Sequence, residues 1–140
     1  MNNAEKKELE DLIASWTGTE TKTRAAFLHL KTHLESKENA ALTFKARPGV
    51  SYSLRGAYPG HNRQLFVMID VIDDDPDNRW LSVCFYGDMI ADPDEMGDMI
   101  PGGLLGEDGY CFDIEEAGDE LIAYVETRID EAYQSAVTAS

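Results

Sequence analysis

Apolar residues recur every three or four positions in residues 4–16, and this spacing predicts a first helix. Thr17 and Glu20 have the spacing of a capping box, so a second helix is predicted to start there and to run to about Lys37. The helical spacing returns in residues 119–137 and predicts a long C-terminal helix.

Between these helices, apolar and polar residues alternate with a period of two, which predicts strands. The alternation is present in residues 42–46 and 50–54. Residues 64–72 are mostly apolar on both faces, which predicts a strand at the centre of a sheet, and 79–86 and 110–114 are predicted as two further strands. Pro48-Gly49 suits a type II turn between the first two strands. Residues 87–109 contain six Gly and two Pro and predict a long ordered loop, with one short helix near residues 93–99.

The order of the elements predicts an α+β fold, because the strand–helix alternation of a parallel sheet is absent. We expect an antiparallel sheet of about five strands. The two N-terminal helices and the one long C-terminal helix should cover one face of it. A chain of 140 residues fits a single domain. Its predicted parts are helical residues 1–39, the sheet over 40–114 and the last helix within 115–140.

Negative charge is concentrated in the last two-thirds of the chain. Residues 1–47 contain eight Lys and Arg against seven Asp and Glu, whereas residues 48–140 contain four Arg against twenty Asp and Glu. Such a charge disfavours nucleic-acid phosphates and anionic membranes, so we expect neither as a partner. It favours basic proteins, cationic ligands and divalent metals. High net charge also serves solubility alone, and that interpretation stays open.

The N-terminal residues MNNAEKKELEDL lack the apolar core of a signal peptide. The longest strongly apolar run, residues 65–69, is too short to cross a bilayer. Cys84 and Cys111 are too few for a disulfide framework and lack CxxC spacing. We interpret them as buried thiols and therefore expect a cytoplasmic protein.

Asp70 interrupts an apolar strand and is the main candidate for a ligand-binding residue. A carboxylate on a covered face needs a cationic partner or has a raised pKa. Arg55 and Arg79 are the candidate partners. If the face is exposed, Asp70 simply lies in water. If it is covered, a pocket is predicted that consists of Asp70, Arg55, Tyr86 and Cys84.

Clustered carboxylates in the turn after this strand suggest a Ca²⁺ or Mg²⁺ site formed by Asp73, Asp75 and Asp77. The turn lacks the Gly and the Glu that an EF-hand loop has at its sixth and twelfth positions, so a solvated acidic turn is the alternative. The Gly-rich residues 101–109 contain no Lys and end in acidic residues, which excludes a phosphate-binding loop.

No nucleophile–base pair or acid–base pair is recognisable, so an enzyme is the least favoured hypothesis and no cofactor is predicted. We expect a non-catalytic binding or regulatory module that engages a protein partner through its negatively charged surface. The alternative is a small-molecule or divalent-cation binding protein that uses the Asp70 face and residues 101–109. A homodimer is a further prediction, because Trp16 lies on a short N-terminal helix whose apolar side a second copy would cover. The alternative is that Trp16 packs on the sheet of its own chain.

Overall fold

The structure is a computed structural model that describes residues 1–17, 22–116 and 118–139. This part of the chain contains three helices and six strands. Their bounds are α1 Asn3–Ser15, α2 Thr23–Glu35, β1 Ala41–Arg47, β2 Ser51–Ala57, β3 Val67–Ile72, β4 Trp80–Tyr86, β5 Asp98–Leu104, β6 Glu107–Ile114 and α3 Asp119–Thr138. A short 3-10 helix, Gly87–Met89, follows β4.

All six strands belong to one antiparallel sheet with the order β1-β2-β3-β4-β6-β5. The predicted α+β class and the antiparallel sheet are confirmed, with six strands instead of about five. The additional strand is β5, which lies with the start of β6 inside the predicted loop 87–109. In β5 only Leu104 is buried, so the strand lacks the alternation from which a strand can be predicted.

The helices cover one face of the sheet. On this face Ile69 of β3 lies between Leu54 of β2 and Val83 of β4, and all three side chains are fully buried. Helix α2 approaches so closely that a Cβ on Gly56 would lie 2.9 Å from Leu34 Cδ1, which explains a glycine near the end of β2. Aromatic side chains of α3 also pack on this face.

The ring of Tyr124 in α3 packs on Phe112 of β6 at a centroid distance of 6.1 Å. Beside the sheet, α1 lies along β1 and Glu5 accepts a hydrogen bond from the Phe44 N–H at 2.9 Å. The same carboxylate completes a capping box with Asn2 at the start of α1. Helix α1 therefore covers the outer edge of β1.

Two local predictions have opposite outcomes. The Pro48-Gly49 turn is confirmed, because Val50 N–H donates to the Arg47 carbonyl at 2.9 Å and Gly49 has the positive φ of 85° that a type II turn requires. The predicted start of the second helix at Thr17 is wrong. Helix α2 begins at Thr23, and most of the predicted capping box lies outside the described residues.

A buried ion pair joins five parts of the fold. Arg79 Nε lies 2.7 Å from Asp73 Oδ1, and each side chain is less than a tenth exposed. Asp73 also accepts a hydrogen bond from Gly49 N–H in the β1–β2 turn at 2.8 Å. The Arg79 carbonyl accepts one from the Thr23 hydroxyl of α2 at 2.8 Å. The Arg79 guanidinium lies 5.7 Å from the ring centroid of Trp16, which follows α1.

We predict that Arg79→Met destabilises the protein by about 3 kcal/mol, because the substitution leaves the Asp73 carboxylate buried without its cation. The midpoint of urea unfolding should fall while the slope stays the same. Asp11→Asn, which removes an exposed partner of Lys7, is the control and should leave the midpoint unchanged. Equal midpoint shifts in both variants would show that the buried pair contributes no more than a surface pair.

Candidate functional site

The sheet face opposite the helices contains most of the predicted ligand-binding residues. In the register, Asp70 of β3 lies between Ser53 of β2 and Ser82 of β4. Arg55 and Cys84 are the next residues on this face of β2 and β4, each about 7 Å along its strand. We call this surface the open face, and its central residues are Ser53, Arg55, Met68, Asp70, Ser82, Cys84, Cys111 and Asp113.

Asp70 is half-buried on the open face. Its Oδ1 is shielded from solvent and has no hydrogen-bond partner among the described residues. Burial raises the pKa of Asp70, although the Ser53 hydroxyl and the charges of Arg55 and Arg47 act in the opposite direction. Arg55 donates its Nε to Ser53 Oγ at 3.0 Å. Asp70 is therefore not freely exposed to water. The guanidinium of Arg55 is hydrogen-bonded to Ser53, which lies directly across from Asp70 in the sheet.

Tyr86 lies away from this carboxyl group, although it was predicted to share its pocket. It follows Ser82 by four residues on β4, which places it about 13 Å along the strand from the row of Asp70. Its ring is 2% exposed and lies beneath Arg63, whose Cζ is 4.2 Å from the ring centroid. The alternation of residues along a strand identifies the face on which each side chain lies. The distance between Asp70 and Tyr86 also depends on the register of β3 with β4.

The acidic turn between β3 and β4 directs its carboxylates to different partners. Asp73 pairs with Arg79, which was predicted as a partner of Asp70. Burial alone would raise the pKa of Asp73, but the hydrogen bonds from Gly49 and Arg79 outweigh it and the pKa is lowered. Asp75 accepts hydrogen bonds within the turn, from Asp77 N–H at 3.2 Å and from the Asn78 amide at 2.8 Å.

Among the described residues, no three His, Cys, Asp or Glu side chains are arranged to hold a metal ion. Asp73 uses both carboxylate oxygens in protein hydrogen bonds, and Asp77 accepts one from the Thr17 hydroxyl at 3.0 Å. The metal site of Asp73, Asp75 and Asp77 stays a prediction, and these contacts do not favour it.

Cys84 and Cys111 form a disulfide, so their interpretation as free thiols was wrong. They occupy directly opposite positions on β4 and β6, with Cα atoms 4.1 Å apart. Opposite residues on one face of an antiparallel pair have their Cβ atoms close enough for an S–S bond. The pairing could not be read from the sequence because it depends on the register of β6.

A cleft of about 440 Å³ lies at the end of the sheet beyond Tyr86. Arg63 donates to both Asp88 oxygens, at 2.6 and 3.0 Å, and to Glu107 at 3.1 Å. Two carboxylates face one guanidinium, so the cleft is negative overall. This cluster could not be predicted from the sequence, because its three members come from the β2–β3 connection, the 3-10 helix and the start of β6 and share no motif. Both ring nitrogens of the nearby His61 are buried without a hydrogen-bond partner among the described residues.

Asp92 organises the connection between the 3-10 helix and β5. It accepts hydrogen bonds from the hydroxyls of Tyr110 and Tyr124 and from the N–H groups of Met96 and Gly97, the latter two at 3.0 Å. Burial alone would raise the pKa of Asp92, but these hydrogen bonds lower it to about 2. An ionised carboxylate thus holds this connection through four hydrogen bonds.

Exposed apolar side chains are concentrated along β5 and its two flanking turns. Five large apolar residues are strongly exposed in the described part of the chain, and only Val50 lies elsewhere. The other four are 42–54% exposed: Met96, Met99, Ile100 and Leu105. Exposed acidic residues alternate with them, namely Asp94, Glu95, Asp98, Glu107 and Asp108. We call these nine residues the β5 surface.

Trp16 packs inside its own chain. It is 5% exposed, and its ring centroid lies 5.7 Å from that of Phe27. Trp16 is therefore buried within its own chain, against Phe27 of α2, and needs no partner surface. The homodimer stays a prediction and no longer has Trp16 as its basis.

Compared with protein-family models, curated proteins and solved structures, the chain matches none of them. The comparisons thus assign no family. Within the described residues, none of the helices has both the length and the apolar character that crossing a membrane requires.

We predict that Asp70→Asn stabilises the protein relative to the wild type as the pH rises from about 4 to about 7. The folded protein binds the Asp70 proton more tightly than the unfolded chain, because the pKa is raised above 3.8. In the wild type, this tighter proton binding contributes its full stability below pH 3.8, and the contribution is lost as the pH rises through the pKa that Asp70 has in the folded protein. Urea unfolding at several pH values measures the difference. Asp74→Asn removes an exposed carboxylate and is the matched control; identical pH profiles for the two variants would contradict the prediction.

We also predict that Asp92→Asn increases amide hydrogen exchange at Met96 and Gly97, because their acceptor loses its charge. The pKa of Asp92 is about 2, so its contribution is present at neutral pH and is lost only as the pH falls towards that value. Asp94→Asn, two residues away and exposed, is the control. Unchanged exchange in Asp92→Asn would mean that other contacts hold this connection.

Proposed function

We propose that the protein is a non-catalytic binding module whose β5 surface engages a basic, amphipathic segment of a partner protein. The observation that carries this proposal is the concentration of exposed apolar side chains in residues 96–105, inside the most acidic part of the chain. Exposed apolar groups that cluster and are surrounded by polar ones are typical of interaction sites. Methionines suit such a surface because their flexible side chains adapt to different apolar partners.

The position of β5 supports this proposal. It is the last strand of the sheet, so one side of its backbone has no neighbouring strand. The opposite edge, β1, is covered by α1 through the Glu5–Phe44 hydrogen bond. Pro101 has no N–H to donate, and the register with β6 shifts between Ile100 and Leu104. A partner would therefore be recognised mainly by the side chains of β5, with only residues 98–100 offering regular backbone.

The charges specify the chemistry of the partner. Residues 80–127 contain seven Asp and six Glu but neither Lys nor Arg. Arg63, which reaches this region from another connection, is already paired with Asp88 and Glu107. A partner that carries Lys and Arg around an apolar stripe would match both features of the β5 surface. The same charges would repel nucleic-acid phosphates and anionic membranes, so neither is proposed.

The surface is held in place before any partner binds. Asp92 fixes the turn that presents Met96, and the Cys84–Cys111 disulfide joins β6 to β4. A preorganised surface loses less conformational entropy on binding than a mobile one. The proposed cytoplasmic location stays a prediction, since the thiols that supported it are joined in this disulfide.

The alternative function, binding of a small cationic molecule on the open face, is favoured by one observation. Asp70 lies between Ser53 and Ser82 at the centre of the open face, where its carboxylate would attract an ammonium group. The Gly-rich residues 101–109 do not contribute to such a site. Gly109 pairs with Tyr86, about 13 Å along the sheet from the row of Asp70.

The experiment that tests the proposal measures binding of a synthetic amphipathic peptide of Lys and Leu by fluorescence anisotropy. Affinity should fall steeply as salt rises from about 0.05 to about 0.5 M, because opposite charges attract less when screened. Met99→Asp and Ile100→Asp should each weaken binding about tenfold, since each removes an apolar contact. Among the described residues, Val50 is the one large apolar residue that is strongly exposed outside the β5 surface, so Val50→Asp should bind like the wild type.

A second peptide, with Glu in place of every Lys, separates charge from general stickiness and should not bind. The proposal is wrong if Val50→Asp weakens binding as much as Met99→Asp, or if the Glu peptide binds equally well. Thermal unfolding of each variant confirms that its fold is intact before binding is compared.

A further inference from the structure

The disulfide on the open face has two sulfurs in different surroundings. Cys84 is 5% exposed and lies in β4, near the middle of the sheet, whereas Cys111 in β6 is half-buried. Between β6 and the edge of the sheet lies β5, whose regular pairing with β6 begins at Asp98, directly opposite Cys111. Because a thiolate must approach the sulfur that it attacks, Cys111 is the accessible end of the bond.

We propose that Cys84–Cys111 is a thiol-exchange site, which a thiol carried on a cationic molecule opens by attack on the sulfur of Cys111. This site shares Asp98 with the β5 surface but does not require the partner proposed for that surface. The charge preference follows from the neighbours of Cys111 on the open face. Asp98 lies directly across from it on β5, and Asp113 is the next residue of β6 on the same face.

These two carboxylates are close to each other as well as to Cys111. Burial raises the pKa of Asp113, and the negative charges of Glu115 and Asp98 raise it further. A negative field of this kind repels an anionic thiolate and attracts a molecule that carries an ammonium group beside its thiol. Lys and Arg are absent from residues 80–127, so no basic side chain of these strands offsets the field.

One neighbour of Cys84 can stabilise its sulfur as the leaving group when the disulfide breaks. Ser82 Oγ lies 3.5 Å from Cys84 Sγ on the same face of β4. When the bond breaks, this hydroxyl can donate a hydrogen bond to the sulfur and stabilise its negative charge. A leaving thiolate that is better stabilised leaves faster.

The exchange balances as two successive displacements. The external thiolate attacks Cys111 Sγ, a mixed disulfide forms at Cys111, and Cys84 leaves as a thiolate. A second external thiolate then attacks the external sulfur of the mixed disulfide and releases Cys111 as a thiolate. Two external thiols are oxidised to one disulfide, the protein disulfide is reduced to two thiols, and water supplies the protons that the protein thiolates take up.

The first test compares two small thiols of opposite charge, cysteamine and 3-mercaptopropionate, on the oxidised full-length chain under native conditions. Reduction is followed by trapping free thiols and counting them by mass spectrometry. Each rate is divided by the rate of the same thiol with a small model disulfide, which removes differences in intrinsic reactivity. Cysteamine should then be favoured, and Asp98→Asn should lower this preference about two- to fivefold. Asp74→Asn makes the same change in net charge far from the disulfide and should leave the preference unchanged.

The second test locates the accessible sulfur. Cys84→Ser leaves Cys111 as the single thiol and should react with a thiol-labelling reagent at least about tenfold faster than Cys111→Ser, which leaves the buried Cys84. Circular dichroism checks the fold of both variants. If either variant is unfolded, the charge comparison on Asp98→Asn decides, because it keeps both cysteines.

Three results would overturn the proposal. One is a chain that stays oxidised in excess thiol until it is denatured. Another is a preference between the two thiols that Asp98→Asn and Asp74→Asn change equally. The third is equal labelling rates in two folded single-cysteine variants.

Discussion

The buried ion pair between Asp73 and Arg79 is the interaction on which the arrangement of the remaining elements depends. The pair lies where β3 and β4 meet the turn that connects them. Asp73 also binds Gly49 in the β1–β2 turn, and the Arg79 carbonyl binds Thr23, the first residue of α2. Both oxygens of the buried Asp73 carboxylate accept hydrogen bonds, which requires the β3–β4 hairpin and the β1–β2 turn to meet in one geometry. The pair therefore aligns both hairpins with the N-terminal helices.

This alignment leaves the sheet with two very different faces. One face packs on three helices and contains the apolar core, whereas the open face carries a row of polar side chains with Asp70 at its centre. A half-covered antiparallel sheet is a common arrangement, since its exposed face can stay polar. Here that polar face also contains the disulfide, of which Cys84 is buried and Cys111 is half-buried.

Much of the fold could be predicted because its elements bury alternate or helically spaced residues. The three helices and β1 to β4 all show such patterns, and the Pro48-Gly49 turn follows from the φ preference of each residue. The prediction failed at β5, where Gly and Pro replace alternating residues and almost nothing is buried. An edge strand of this kind is formed by pairing with β6, and pairing leaves no periodic signal in a single sequence.

The candidate sites could be predicted less well, for a related reason. The face of Asp70 follows from its parity in β3, but its distance from Tyr86 requires the register of two strands. The disulfide and the Arg63 cluster join residues far apart in sequence, and neither has a local motif. The exposure of Met99 and Ile100 is also invisible in a sequence, where apolar residues are expected to be buried.

The two outer strands also bear on how the chain avoids fibrous self-association. An uncovered strand is a template for another copy, and growth that joins the first strand of one molecule to the last strand of the next would never close. On β1 the carboxylate of Glu5 already occupies the Phe44 N–H that such growth needs. On β5 the ring of Pro101 interrupts the donor row in the middle of the strand. Open-ended polymerisation is thus blocked at both ends of the sheet by single side chains.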